Sequence, residues 1–195
     1  AARDALGRAA GVQREIDFAL SHEKEAGAMT GMLARGELPL RVTHNDTKLN
    51  NILLDAQTGE PLCVIDLDTV MPGLAGNDFG DSIRFGASTA LEDERDLAKV
   101  ELSLERYEAY ARAFLGACGA SLTRAEIETL PLGAKLMTYE NGVRFLTDYL
   151  SGDVYFHIER EGQNLDRART QFKLIEDMEK KWARMARLTE EAAKA

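Results

Sequence analysis

Residues Thr43–Asp68 read THNDTKLNNILLDAQTGEPLCVIDLD. Asp46 follows His44 by two residues, and Asn51 follows Asp46 by five. Two apolar runs, Asn51–Leu54 and Leu62–Asp66, flank the segment Asp55-Ala-Gln-Thr-Gly-Glu-Pro61. Asp, Gly and Pro are turn formers, so the pattern predicts a β-hairpin that brings Asn51 and Asp66 side by side. Asp68 follows Asp66 by the two-residue strand period, which would place both carboxylates on one strand face. Leu40-Arg41-Val42 reads as a short extended entry into the His44 loop.

Outward from this unit the pattern is helical. Residues 3–35 carry Ile16, Phe18, Ala19, Leu20, Met29, Met32 and Leu33 on apolar faces. Gly27 and Gly31 lie inside this stretch, and Gly36 and Pro39 end it. Beyond a loop with Met71-Pro72-Gly73, Gly76 and Asn77, helices are expected over Asp78–Ser88, Leu97–Cys118, Leu136–Leu150 and about Asp166–Ala195. Thr123-Arg-Ala-Glu126 has the form of a capping box that opens another helix. No internal repeat or low-complexity linker divides the chain. The fold class is therefore α+β, mainly α, in a single unit of 195 residues carrying one short β-hairpin.

The formal net charge is -9, with no Lys/Arg cluster, which argues against nucleic-acid binding, where phosphate neutralisation supplies most of the affinity. No apolar run approaches the length of a membrane span, and no charged segment precedes one as in a signal peptide. Cys63 and Cys118 both lie in apolar segments and read as buried thiols, which fits a reducing, cytoplasmic setting. The chain opens Ala1-Ala2 without methionine, an indication that its natural start has been removed.

Phosphoryl transfer requires a group that orients and deprotonates an acceptor hydroxyl, oxygen ligands for Mg²⁺, and cations facing phosphate. Asp46 suits the first role. Asn51 and Asp66 offer the hard oxygens Mg²⁺ prefers, and Asp68 could join them. Lys48 could reach the transferred phosphate, and His44 reads as a scaffold residue of the loop. Asp78 and Asp81 flank the predicted start of the next helix, where carboxylates cap free N–H groups, and Asp81 is also a candidate cleft residue. Arg84 could pair with these acids and hold the loop together. Five aspartates (46, 66, 68, 78 and 81) would repel one another if they converged, and a divalent cation would relieve that repulsion. Asp66-x-Asp68 also matches the D-x-D of sugar-nucleotide glycosyltransferases, but the largely helical residues before it leave no place for the doubly wound domain those enzymes need.

The run His44-Asn-Asp46-Thr-Lys48-Leu-Asn-Asn51-Ile-Leu-Leu resembles the H-x-D-x-K-x-x-N-I-L catalytic loop of protein kinases and small-molecule kinases. Val64-Ile-Asp66-Leu-Asp68 resembles the I-D-x-[DE] segment of the aminoglycoside phosphotransferase and choline kinase family. Asp78-Phe79-Gly80 spells the metal-binding triplet of protein kinases. It sits 32 residues past Asp46, after a Gly-rich loop and with no A-P-E behind it, so that role falls to Asp66. Arg41–Asn51, Val64–Gly73, Asp78–Ala87 and Gly142–Phe156 resemble in particular the members that phosphorylate N-acetylhexosamines at the anomeric hydroxyl. The resemblance implies the C-terminal lobe of a protein-kinase-like fold, ATP as co-substrate, Mg²⁺, and acceptor contacts from Arg144, Tyr155 and Trp182, to which Asp81 is added as the candidate cleft residue. Without it, Tyr155 and Trp182 read as packing aromatics. His22 and His157 have no partner spacing.

Such kinases also carry a Gly-rich loop and a strand lysine paired with a helix glutamate. Neither motif precedes Arg41, so the nucleotide-binding N-terminal lobe is expected to be missing, and the chain alone to bind ATP poorly. Aminoglycoside, choline or other amino-alcohol acceptors are the alternative for the enzyme. A non-catalytic binding lobe, its apolar docking face covered by a homodimer, is the alternative to an enzyme.

Overall fold

In the computed structural model, which describes Asp4 and residues 6–194, the chain is mainly helical with two separate two-stranded ribbons. The Ala1-Ala2 opening and the outermost residues of both terminal helices read from sequence lie outside the described residues. The N-terminal helix is not continuous. After a 3-10 turn it divides into α1 (Gln13–Ser21), α2 (Glu23–Ala26) and α3 (Ala28–Ala34), with breaks at His22 and Gly27. These short pieces follow the surface of the later helices. The Tyr139 hydroxyl donates to the Ala19 carbonyl at 2.8 Å, and Arg169 pairs with Glu15 at 2.6 Å.

Strand β1 (Arg41–Thr43) leads into the His44 loop. The hairpin follows as β2 (Ile52–Leu54) and β3 (Pro61–Val64), paired antiparallel with Ile52 opposite Val64. Asp55 closes its turn by accepting from the backbone N–H groups of Gln57 and Thr58. The chain then returns through β4 (Met71–Gly73), which pairs antiparallel with β1. Both ribbons are short, and every residue of β3 is exposed. Cys63 is therefore exposed rather than buried, and Cys118 is partly buried. The run Leu62–Asp66 is apolar yet uncovered in this chain, with Leu53, Leu62 and Val64 open to solvent.

The remaining elements are α4 (Ala75–Gly86), α5 (Leu104–Cys118), α6 (Arg124–Ser151) and α7 (Gln163–Ala192). Helix α4 begins three residues earlier than its sequence suggests, and α6 runs unbroken through Pro131 and Gly133. The expected capping box is present at the start of α6: Thr123 Oγ1 accepts from the Glu126 N–H, and Glu126 accepts from the Thr123 N–H at 2.7 Å. Glu126 also takes a bidentate pair from Arg41 (2.8 and 2.7 Å), which fixes β1 to the helix across 85 residues of sequence.

Helices α4 and α6 cross at glycines. A Cβ on Gly133 would collide with the Gly76 carbonyl and lie 3.0 Å from its Cα, and one on Gly80 would strike the backbone of Gly133. Gly133 therefore persists inside a long helix for a packing reason that outweighs its low helix propensity. Around the crossing lies the main core of Phe79, Ile83, Tyr107, Leu130, Leu174 and Met178, all fully buried. The Tyr107 hydroxyl is satisfied by Thr189 Oγ1 at 2.7 Å. Phe79 sits edge-on to Tyr107 and Phe114, and burying a side chain of its size contributes about 2–3 kcal/mol.

Gly133→Val should force α4 and α6 apart. The expected loss is about 2 kcal/mol or more, a fall in Tm of roughly 5 °C or more, read by thermal unfolding followed at 222 nm. An unchanged Tm would mean that the crossing is not close-packed.

Candidate active site

The His44–Asn51 loop is held from below by the first turns of α4. Asp78 Oδ2 accepts from the His44 N–H at 2.8 Å, and its Oδ1 accepts from the Asn45 N–H at 2.7 Å. Thr47 Oγ1 donates to the Asp78 carbonyl at 2.6 Å, and Ser82 Oγ donates to the Thr47 carbonyl at 2.9 Å. Asp78 was expected to cap its own helix. Because α4 starts at Ala75, the carboxylate instead projects from the first turn and serves two backbone donors of the loop. Asn45 sits at φ 63°, in the left-handed region that Asn tolerates better than most residues. Its amide donates to the Thr69 carbonyl at 3.0 Å, and Thr69 Oγ1 donates to the His44 carbonyl at 2.6 Å.

Asp46, Lys48 and Asn51 come together on this frame. Asp46 Oδ2 accepts from Lys48 Nζ at 2.8 Å and from Asn51 Nδ2 at 2.7 Å. Burial pushes the Asp46 carboxyl up, but its bonds to Lys48 and Asn51 outweigh this and hold it below the usual carboxylate range. Asp46 Oδ1 has no partner among the described residues. The Ile65 N–H donates to the Asn51 carbonyl at 2.9 Å, so the residue before Asp66 lies against Asn51. His44 Nε2 lies 3.1 Å from the Ile65 carbonyl, which makes His44 a brace between loop and hairpin end.

Asp66 and Asp68 are not on one strand face. Strand β3 ends at Val64; Asp66 is left-handed at φ 61°, and Asp68 lies in a 3-10 turn over Leu67–Thr69. The ladder runs out at Ile65 and the chain turns, which the alternation Ile-Asp-Leu-Asp does not reveal. Both carboxylates are exposed, and neither has a cationic partner among the described residues. Asn51 turns its amide nitrogen to Asp46, and its own oxygen has no partner among the described residues. The available donors are all oxygens, a set that suits Mg²⁺.

Asp81 and Arg84 are buried together at 4% and 6% exposure. Arg84 gives Nε and Nη2 to Asp81 Oδ1 (3.1 and 2.9 Å) and Nη1 to Glu92 at 2.6 Å. Asp81 is thus covered by its own ion pair rather than open in a cleft, and Arg84 holds the Glu92 segment rather than the catalytic loop. The five aspartates do not converge as one uncompensated cluster, because Asp78 is matched by backbone donors and Asp81 Oδ1 by Arg84, with Asp81 Oδ2 buried without a partner among the described residues.

Arg144 and Tyr155 are brought together. The Arg144 guanidinium lies 5.8 Å from the Tyr155 ring centre and 5.4 Å from that of Phe156. The loop that presents these rings hangs from Asp148, whose oxygens accept from the N–H groups of Val154, Tyr155 and Phe156 and from Asn164 Nδ2, all at 2.9–3.0 Å. Asp148 escaped the sequence reading, although a carboxylate on an apolar helix face one turn before Gly152 was a usable signal. Trp182 is not part of this group. It lies further along α7, partly exposed, with no hydrogen bond or ring contact to Arg144 or Tyr155 among the described residues.

A family model described as "Phosphotransferase enzyme family" (APH) matches residues 2–114, more than half of the chain and all of the loop-and-hairpin unit. The chain belongs to this phosphotransferase family. Its mainly helical fold with few short antiparallel strands is that of a protein-kinase-like C-terminal lobe. The phosphotransferase match ends before Arg144 and Tyr155. Among the described residues no helix is long and apolar enough to cross a membrane.

Because the folded-state pKa of Asp46 is depressed, the stability its contacts contribute is present above the ordinary carboxylate range and lost as pH falls through the lowered value. An NMR titration of the Asp46 carboxyl should show a midpoint below that of a free aspartate, and Lys48→Met should move it upward. A midpoint insensitive to Lys48→Met would show that the ammonium does not set the Asp46 charge.

Proposed function

We propose that the chain is the catalytic, acceptor-binding lobe of an ATP-dependent kinase that phosphorylates the anomeric hydroxyl of an N-acetylhexosamine, an N-acetylhexosamine 1-kinase activity. The observation that carries the reading is the state of Asp46. One carboxylate oxygen is bonded to Lys48 and Asn51, the other is free of partners, and the group is kept ionised by its surroundings.

In this reading the acceptor hydroxyl donates to Asp46 Oδ1. As the sugar oxygen bonds to the γ-phosphorus and the bond to the β,γ-bridging oxygen breaks, the hydroxyl proton passes to Asp46. Lys48 faces the phosphoryl oxygens and keeps Asp46 oriented. Asn51 fixes the Asp46 rotamer through its amide nitrogen. Asn51, Asp66 and Asp68 would hold Mg²⁺, which when bound offsets nucleotide phosphate charge. Arg144 has no carboxylate partner among the described residues. A cation at this position suits a neutral sugar better than an aminoglycoside or choline, which bring positive charge of their own.

A β-rich nucleotide-binding lobe would cover the exposed apolar residues of the hairpin and the turn after it, Leu53, Leu62, Val64 and Leu67, and a second copy of the chain is the alternative cover. In protein that includes a nucleotide-binding lobe, Asp46→Asn should lower kcat with N-acetylglucosamine and Mg·ATP by about 10²–10⁴-fold. Sugar affinity should stay within about threefold of wild type by isothermal titration. Normal turnover in Asp46→Asn would remove the aspartate from its role, and turnover confined to choline or aminoglycosides would replace the acceptor class.

A further inference from the structure

Helix α6 closes on its own backbone. Gly152, at φ 99°, gives its N–H to the Asp148 and Tyr149 carbonyls, and the Asp153 N–H donates to the Asp148 carbonyl at 2.8 Å. The Asp148 side chain is therefore not needed to end the helix. It is only 5% exposed, and its carboxylate has no cationic partner among the described residues. Burying such a group is costly unless hydrogen bonds replace its water. Four donors do so here, and three of them are the consecutive backbone N–H groups of Val154, Tyr155 and Phe156.

Packing does not hold the segment that these bonds fix. Val154 is 78% and Tyr155 72% exposed, so neither side chain has a core around it. Phe156 lies on Phe145 of α6 with ring centres 4.8 Å apart, and Tyr155 stands edge-on to Phe156. Arg144, one turn before Asp148 on α6, faces both rings. The segment before α1 fastens the same loop a second time. Arg8 Nη1 pairs with Asp153 at 2.6 Å and donates to the Tyr149 carbonyl at 2.8 Å. An exposed ring keeps its place beside a cation only if the backbone beneath it is held, and the buried carboxylate supplies that hold.

We propose that Asp148 is a positioning residue of the acceptor site. Through three backbone N–H groups it sets the spacing between the Arg144 guanidinium and the Tyr155 and Phe156 rings, so that an acceptor meets cation and aromatic surface together. Asp148 itself touches no substrate; it acts through Tyr155. That the surface so built receives the phosphoryl acceptor rests on the function proposed above, whereas the positioning itself can be read without any ligand.

The test uses the 195-residue chain and Asp148→Asn, which keeps the size of the side chain but turns one acceptor oxygen into a donor that faces donors. Without ligand, the Arg144 Nε–Hε NMR resonance should shift in Asp148→Asn in the direction it takes in Tyr155→Ala, as the ring leaves the guanidinium. In isothermal titration with N-acetylglucosamine, Asp148→Asn should weaken binding about tenfold. Asp148→Asn combined with Tyr155→Ala should bind within about twofold of Tyr155→Ala alone, because the aspartate acts through that ring. A merely structural aspartate would give the product of the two losses. Arg8→Gln, which loosens the loop from its other side, should weaken binding about threefold, and it decides the matter if Asp148→Asn does not fold. The proposal is overturned by an unmoved Arg144 resonance, by unchanged affinity in the variant that folds, or by additive losses in the double variant. Choline and kanamycin are titrated in parallel. If one of them binds in place of the sugar with the same coupling, the positioning role stands and the N-acetylhexosamine reading falls; if none of the three binds, both fall.

Discussion

The site depends on one carboxylate, Asp78, whose two oxygens accept from consecutive backbone N–H groups of His44 and Asn45. A loop cannot hold a reactive side chain in place through its own short contacts, because each of its residues loses conformational entropy on ordering. Two charge-assisted bonds to a helix remove much of that freedom. Helix α4 is in turn immobilised where Gly76 and Gly80 meet Gly133 of α6. The position of Asp46 thus traces to a glycine contact between two helices, with Asp78 as the link between them.

The same logic separates the acidic residues. Asp78 is neutralised by backbone donors and Asp81 by Arg84, and both are consumed in building the frame. Asp46 is partly matched by Lys48, which leaves its second oxygen available. Asp66 and Asp68 have no cation of their own among the described residues and stand open to solvent. A strand would have fixed both in one direction. The left-handed Asp66 followed by a 3-10 turn instead gives the two residues flanking Leu67 different backbone orientations.

Local features were legible in the sequence, and long-range pairings were not. The hairpin could be read because Asp55, Gly59 and Pro61 carry turn chemistry between apolar runs, and the α6 start because Thr123 and Glu126 satisfy each other's backbone. The Arg41–Glu126 pair, the Asp78 clamp and the Asp148 anchor join residues that no periodicity connects. Helix propensity alone would set Gly133 at a break, whereas the close helix crossing places it inside α6. Cys63 read as buried because an apolar run normally faces a core, whereas here the apolar run of the hairpin lies uncovered.

The distribution of burial ties stability to chemistry. The helical core around Phe79, Tyr107 and Met178 is fully buried and supports α4, whereas the ribbons contribute little apolar burial and stay exposed on one side. Groups that must hold position, namely Asp46, Asn51 and the Asp78 clamp, are fastened to the helical side. The exposed carboxylates Asp66 and Asp68 sit beyond the end of the hairpin, between Ile65 and Thr69, which are hydrogen-bonded to the loop. Phosphoryl transfer in general asks for reacting groups held in fixed geometry, and a loop fastened to buried helices supplies such a frame. A fully buried helical floor beneath exposed ribbons is the result.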